Sequence, residues 1–217
     1  MGKRRLEDAI KQIDHPIEVT YRCFELDPTM GREIKQNIYE ALAKKYGMSI
    51  EQAKASTQNV VQMAKEAGLD YNMDTLILTN TFDAHRLTMF AKTKGLMQEM
   101  TERILQAYFT ESKHIGDHET LTELAVEVGL EREAVENMLA SDEMADAVRA
   151  DEQTGKQYGI TGVPFFLINK KYALNGAQPT EAFVQALKKV IAESEITVLG
   201  NQDGEICDDD GCEIPKK

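Results

Sequence analysis

Cysteine thiols are the side chains in this chain with the clearest capacity for chemistry, and two of the three lie close together. Cys207 and Cys212 enclose four residues, three aspartates and Gly211. A loop of this length can bring two Cα atoms within the roughly 7 Å that a disulfide requires. Neighbouring carboxylates raise a thiol pKa and slow attack by the thiolate. A working pair here would therefore suit a resolving or relay role.

The same tail has three other interpretations. A thiolate metal site needs two further ligands, and no second cysteine pair or spaced histidine pair is present. The acidic run 208–211 suggests a calcium loop but lacks the alternating ligands and the closing glutamate of one. Two free, exposed thiols in an acidic, glycine-rich tail are the remaining alternative. We expect a disulfide that forms under mild oxidation and is easily reduced.

Cys23 lies in a segment with the alternation of a strand. In residues 17–26, Ile17, Val19, Tyr21 and Cys23 share one face, charged residues occupy the other, and Asp27-Pro28 ends the run. A cysteine on the apolar face of a strand is most simply a buried, unreactive core thiol.

Among the four histidines, His85 is the best candidate for a polar site residue. Asp83 and Arg86 flank it, so the group forms either a hydrogen-bonded cluster at a helix start or part of a catalytic site. His114 and His118 fit a solvated loop and a helix cap. The spacing of residues supports no Ser/His/Asp set, no phosphate-binding glycine loop and no paired-carboxylate site. We expect no metal and no cofactor.

The segment 159–176 predicts a β-hairpin. Pro164 precedes a run of large apolar residues, and because proline has no N–H it should stand at the start of the strand. An X-Pro bond at such a position can be cis. Asn169-Lys170-Lys171 predicts an Asn-led turn into a second strand at 172–175, and a helix beginning at Pro179 follows.

The middle of the chain predicts helices only. From about residue 31 to 157 the apolar residues recur with helical spacing. Three segments end in glycine followed by an apolar residue, the signature of a helix C-terminus, at 47–48, 68–69 and 129–130. Residues 3–13 predict a further helix, with Leu6, Ile10 and Ile13 on one face. Asp117 is a candidate N-cap for a helix at 118–128.

These segments carry a resemblance to a known family. Gly162-Val163-Pro164-Phe165-Phe166, followed by the stretch from Tyr172 to Pro179, resembles the second half of a thioredoxin fold, in particular the FrnE-like branch of the DsbA family. The stretches 80–87, 108–111 and 115–118 are similar to further markers of that branch.

The resemblance implies an α/β, thioredoxin-like fold with a large helical insertion. The thioredoxin-like part would be 1–30 and 158–199, the inserted helical domain 31–157, and the acidic tail 200–217. It also implies that Pro164 is a cis-proline facing a dithiol, and that Val163, Pro164, Phe165 and His85 contact the substrate.

The family places a C-x-x-C dithiol at the start of the first helix, followed by Gly-Lys-Arg-x-Leu-Glu. This chain opens with Met1-Gly2-Lys3-Arg4-Arg5-Leu6-Glu7, and none of its cysteines forms a C-x-x-C. We therefore expect a truncated form that lacks the first strand and the dithiol and has impaired activity. Some FrnE-like proteins carry a C-terminal C-x4-C pair that exchanges with the main dithiol, which implies an auxiliary redox role for Cys207 and Cys212.

The amino-acid composition limits which binding partners and which cellular compartment we expect. A net charge of −12 argues against nucleic acid or an anionic membrane as partner, because both need clustered lysine and arginine. No apolar run is long enough to span a membrane. No apolar run follows the basic N-terminus either, as it would in a secretory signal. We expect a cytoplasmic monomer or homodimer.

The predicted function is a protein thiol–disulfide oxidoreductase or isomerase acting on protein thiols and disulfides. One alternative is a glutathione-binding enzyme of the hydroxychromene-carboxylate isomerase or kappa transferase type, which shares the fold. The other is a non-catalytic thioredoxin-fold binding module.

Overall fold

The protein is described by a computed structural model over residues 1–194, so Cys207 and Cys212 lie outside the described residues. Nearly all regular structure in this range is helical. The elements are α1 (Gly2–Ile10), α2 (Ile38–Tyr46), α3 (Ile50–Glu66), α4 (Phe82–Thr93), α5 (Met97–Phe109), α6 (His118–Glu127), α7 (Arg132–Ala140), α8 (Ala145–Gln157), β1 (Phe165–Ile168), β2 (Tyr172–Asn175) and α9 (Thr180–Ser194). No helix among the described residues is long and apolar enough to cross a membrane.

The hairpin forms as the sequence predicts. β1 and β2 pair antiparallel with Phe166 opposite Leu174 and Ile168 opposite Tyr172. Asn169 and Lys170 both have positive φ, which tight hairpin turns demand, and the Lys171 N–H donates to the Ile168 carbonyl at 3.0 Å.

The inner face of the hairpin packs on α1 and α9. The fully buried members of this core are Ala9 of α1 and Phe183 of α9, and the rings of Phe166 and Phe183 meet edge to face at 4.7 Å. Leu6, Ile10 and Ile13 also pack there, as their predicted common face requires.

The strand predicted at 17–26 is wrong. Within residues 1–194 the sheet consists of β1 and β2 alone, and no backbone–backbone hydrogen bond involves 17–26. In place of strand pairing, two consecutive carboxylates of α8 accept backbone N–H groups of this segment. The Cys23 N–H donates to Asp151 at 2.9 Å and the Glu25 N–H donates to Glu152 at 3.4 Å. The alternation correctly predicted that Cys23 is buried, with Ile17 and Tyr21 partly buried, but Val19 is exposed and Glu25 is buried. It also could not show what accepts the N–H groups of this segment.

The middle of the chain is helical, as predicted, with seven helices between residues 38 and 157. α4 is its centre, since it contacts α5, α6, α7 and α8 and buries most of its length. The predicted glycine ends are confirmed at residues 47, 68 and 129, which all have positive φ. Asp117 caps α6 by accepting the Thr120 N–H at 2.8 Å.

Asp83 ties the helices together at the start of α4. Its side chain is only 5% exposed and forms ion pairs with Arg86, at 2.8 Å, and with Arg32. His118 lies 2.8 Å from the same carboxylate. Burial opposes ionisation of Asp83, but the hydrogen bonds from His118 and Arg86 and the arginine charges lower its pKa overall. Arg86 in turn donates to carbonyls at the end of α7, including Met138 at 2.7 Å.

Replacing Asp83 should therefore destabilise the protein strongly. We expect Asp83→Asn to lower the free energy of unfolding by about 3 kcal/mol at pH 7, because it leaves buried Arg86 without its counter-charge. The folded-state pKa is lowered, so the carboxylate's contribution is complete above the unfolded pKa and is lost as the pH falls through the folded one. The gap between variant and parent should close over that range.

Urea unfolding at a series of pH values measures this gap. Asp8→Asn is the matched control, because Asp8 is an exposed helical aspartate paired with Lys11. Its effect should stay within about 0.5 kcal/mol at every pH. A pH-independent loss in Asp83→Asn would show that packing, not charge, is what the aspartate supplies.

Candidate functional site

The candidate site is built where the first turn of α1 meets the start of β1. The Val163–Pro164 peptide bond is cis and leads into Phe165, the first residue of β1. Both Val163 and Pro164 are exposed. A Cβ on Gly2 would lie 2.9 Å from the Pro164 ring and 3.0 Å from the Phe166 ring, so only glycine allows this approach.

One edge of this segment is paired and the other is open. The Gly176 N–H donates to the Pro164 carbonyl at 2.8 Å, which directs the Pro164 backbone toward β2. Successive residues of a strand direct their backbone groups to opposite sides. Phe165 therefore directs its N–H and C=O groups away from β2, where no described strand pairs with it.

A cluster of four charges joins the first turn of α1 to α5. Lys3 contacts Glu7 and Glu102 at 2.6 Å each, and Arg4 contacts the same two carboxylates at 3.2 and 2.7 Å. Burial opposes ionisation of Glu102, yet the hydrogen bond and charge of Lys3 and the charge of Arg4 lower its pKa overall. Burial alone would likewise lower the pKa of Lys3, but its bonds to Glu102 and Glu7 raise it.

An open cavity of about 290 Å³ lies beside this cluster. Its apolar wall contains Tyr71 and Phe109, whose rings stack at 4.6 Å with 17° between their planes. The complete lining is Met1, Lys3, Arg4, Gly68, Leu69, Asp70, Tyr71, Glu102, Leu105, Gln106, Phe109 and Thr110. Sequence reasoning missed this set, because its members come from three separate segments; only the marker stretch 108–111 pointed toward it.

His85 lies in a different environment from Pro164. It is partly buried, its imidazole hydrogen-bonds with the backbone of Phe24, and its neighbours include Asp151 and Glu152 of α8. Burial lowers the pKa of His85, and the charge of Glu152 only partly offsets this. The substrate contact suggested for His85 stays a prediction, since its described partners belong to residues 23–24 and α8.

Cys23, the single cysteine among the described residues, is poorly suited to exchange. It is buried, and its thiol donates to the His85 carbonyl at 3.7 Å. Burial, reinforced by the charges of Asp151 and Glu152, raises the pKa of Cys23 to about 12. Residues 1–194 also contain no group of three His, Cys, Asp or Glu side chains placed to hold a metal ion.

Comparison with known proteins identifies the fold and the family. The model of the DSBA-like thioredoxin domain matches residues 1–188. The chain belongs to the DSBA-like thioredoxin family. This confirms the predicted α/β, thioredoxin-like fold with a helical insertion. A probable DsbA oxidoreductase from Streptomyces coelicolor, SCO1869, is 41% identical in sequence and superposes with a TM-score of 0.85, covering 99% of this chain and 93% of its own.

Two other similar proteins have lower sequence identity to this chain. The uncharacterized protein YwbO of Bacillus subtilis is 29% identical over 189 residues, which is 86% of this chain and 88% of that protein. The cytosolic disulfide reductase DsbM of Pseudomonas aeruginosa shares the fold at 17% identity, with a TM-score of 0.58 over 89% of this chain and 93% of its own.

The contact at Gly2 makes a first prediction for the site. Gly2→Ala should shift the amide resonances of Phe165 and Phe166 and lower the free energy of unfolding by about 1–2 kcal/mol, since the added methyl overlaps the Pro164 ring. Gly31→Ala is the control, because the nearest atom to a Cβ there lies 3.8 Å away. Unchanged resonances in Gly2→Ala would mean that the first turn of α1 does not rest on Pro164.

The environment of Cys23 makes a second prediction. With a pKa near 12, roughly one thiol in ten thousand is ionised at pH 8, and the group is also buried. Iodoacetamide should leave the Cys23 peptide unmodified in the native protein and alkylate it fully in guanidinium chloride, as read by mass spectrometry. Native labelling at the unfolded rate would contradict both its burial and its raised pKa.

Proposed function

We propose that this protein is a thiol–disulfide oxidoreductase of the FrnE-like kind that holds its substrate as an extended segment along Val163, Pro164 and Phe165. The observation that carries the proposal is the exposed cis Val163–Pro164 segment at the start of β1, set directly against the first turn of α1 at Gly2. An extended peptide can add beside such a segment through backbone hydrogen bonds, which bind many sequences alike.

The chemistry that suits this arrangement is exchange at a helix N-terminus. Free N–H groups and the positive end of the helix dipole stabilise a thiolate there and lower its pKa. The thiolate attacks one sulfur of a substrate disulfide, forms a mixed disulfide and releases the other sulfur as a thiolate. A second thiol then resolves the mixed disulfide. In this proposal the reactive dithiol would face Pro164 from the N-terminal end of α1.

The three cysteines of the 217-residue chain differ in how well they could act in thiol–disulfide exchange. Cys23 is excluded as the nucleophile by its burial and its raised pKa. We propose Cys207 and Cys212 as an auxiliary pair that passes electrons to a dithiol opposite Pro164, and that the printed chain acts weakly by itself. We place the protein in the cytoplasm, where such an enzyme would work as a reductase or isomerase of protein disulfides.

Glutathione is the second candidate substrate, since a peptide thiol could bind in extended form beside the exposed cis Val163–Pro164 segment. The structure of DsbM with GSH concerns a protein of the same fold, 16% identical to this chain with a TM-score of 0.58. A glutathione-dependent isomerase or transferase would use one nucleophile and would not reduce protein disulfides. The insulin assay below separates it from a protein oxidoreductase.

We expect the 217-residue chain to reduce insulin slowly, and an engineered form that carries an added C-x-x-C segment before Met1 to reduce it much faster. The reason is that exchange needs an exposed thiolate with a lowered pKa. The turbidity of precipitating insulin chains measures the rate, and the double variant Cys207→Ser/Cys212→Ser of both forms isolates the tail pair. Equal rates for both forms would overturn the dithiol proposal, and a further loss in the double variant of the printed chain would make the tail pair the catalyst.

A further inference from the structure

We infer that the cavity beside α1 receives one large apolar side chain of a protein substrate, and so determines which substrate cysteines are presented at Pro164. This inference rests on the proposed function and adds a specificity site to it. Four observations support it: the position of the cavity, its preformed wall, its closed ion pairs and its uncovered apolar surface.

Position links the cavity to the substrate edge. Gly2 touches Pro164, and the next two residues, Lys3 and Arg4, line the cavity. One turn of helix rises about 5.4 Å, so the cavity lies within about one turn of the point where the substrate segment would pass. In an extended peptide, side chains two residues apart share a face. A residue two positions from the substrate cysteine is therefore in reach of the cavity.

The wall of the cavity is fixed before any substrate arrives. The loop that follows α3 is joined to the end of α5 by hydrogen bonds: the Asn72 N–H donates to Phe109 at 2.7 Å, and the Thr110 hydroxyl donates to Asp70 at 2.6 Å. Tyr71 stacks on Phe109 between these bonds. At about 290 Å³, the cavity is slightly smaller than the range for small-molecule sites, roughly 300–1,000 Å³, and suits one large side chain.

The charges at the rim favour a neutral occupant. Lys3 and Arg4 are both engaged by Glu7 and Glu102, so two cations face two carboxylates. The lining also holds one further charge of each sign, the Met1 ammonium, which donates to the Tyr71 hydroxyl at 3.3 Å, and Asp70. A charged ligand would have to break these bonds and leave one partner uncompensated at a partly buried position. A neutral side chain can enter without disturbing them.

Apolar surface in the cavity remains to be covered. Leu105 of α5 is 40% exposed in its wall, and Leu69, Tyr71 and Phe109 are only partly buried. Covering such surface is favourable in proportion to the area removed from water. A leucine, phenylalanine or methionine of the substrate would cover it, whereas serine or aspartate would not.

Peptide binding to the 217-residue chain tests the inference without requiring catalysis. The probes are extended peptides that contain one cysteine, with Leu, Phe, Ser or Asp two residues away. We expect the Leu and Phe peptides to bind about five- to tenfold more tightly than the Ser and Asp peptides. They should also shift the amide resonances of Leu69, Tyr71 and Leu105 in the ¹⁵N-labelled protein.

Leu105→Ser should abolish this preference by weakening the binding of the Leu and Phe peptides to that of the Ser peptide. Val126→Ser is the matched control, since Val126 is 41% exposed on α6 and lies outside the cavity lining. Equal binding of all four peptides, or a preference that survives Leu105→Ser, would overturn the inference. So would glutathione displacing the Leu peptide from these resonances, because the cavity would then be a glutathione site. Failure of the extended form to reduce insulin would instead count against the proposed function.

Discussion

The approach of the Gly2 backbone to the Pro164 ring is the contact on which the site depends. It fixes the position of the N-terminal end of the α1 dipole relative to the cis Val163–Pro164 segment. The same contact requires α1 to pack closely on the hairpin, and the core of Ala9, Phe183 and Phe166 holds that packing in place. A bulkier residue at position 2 would have to move either the helix or the strand.

Charged groups connect this small core to the helical layer. The cluster of Lys3, Arg4, Glu7 and Glu102 joins α1 to α5, and Asp83 joins the start of α4 to α6 and, through Arg86, to the end of α7. Helices α4 to α8 pack around α4, which contacts each of the other four. The cavity lies between α1 and α5, and the loop after α3 completes its lining.

The sequence predicted most of the fold because local signals specify most of it. Helical spacing, the positive-φ glycines and the turn at Asn169 act over a few residues, and all of them appear as expected. The segment 17–26 was misassigned because an alternating pattern indicates only which side chains are buried. A strand also needs a neighbouring strand, which no local pattern predicts. The cavity could not be predicted for a similar reason: Lys3, Tyr71 and Glu102 meet only through tertiary packing. His85 was chosen for its residue type, and its surroundings are decided by the side chains of α8.

The attachment of residues 23–25 to α8 has a consequence for how the family can vary. A backbone ladder survives most substitutions, because every residue except proline brings the same N–H and C=O groups. Here the acceptors are the carboxylates of Asp151 and Glu152, so one codon change in α8 removes a hydrogen bond from a segment more than a hundred residues away. Homologues can therefore differ in how firmly this segment is held while every element of the sheet keeps its sequence.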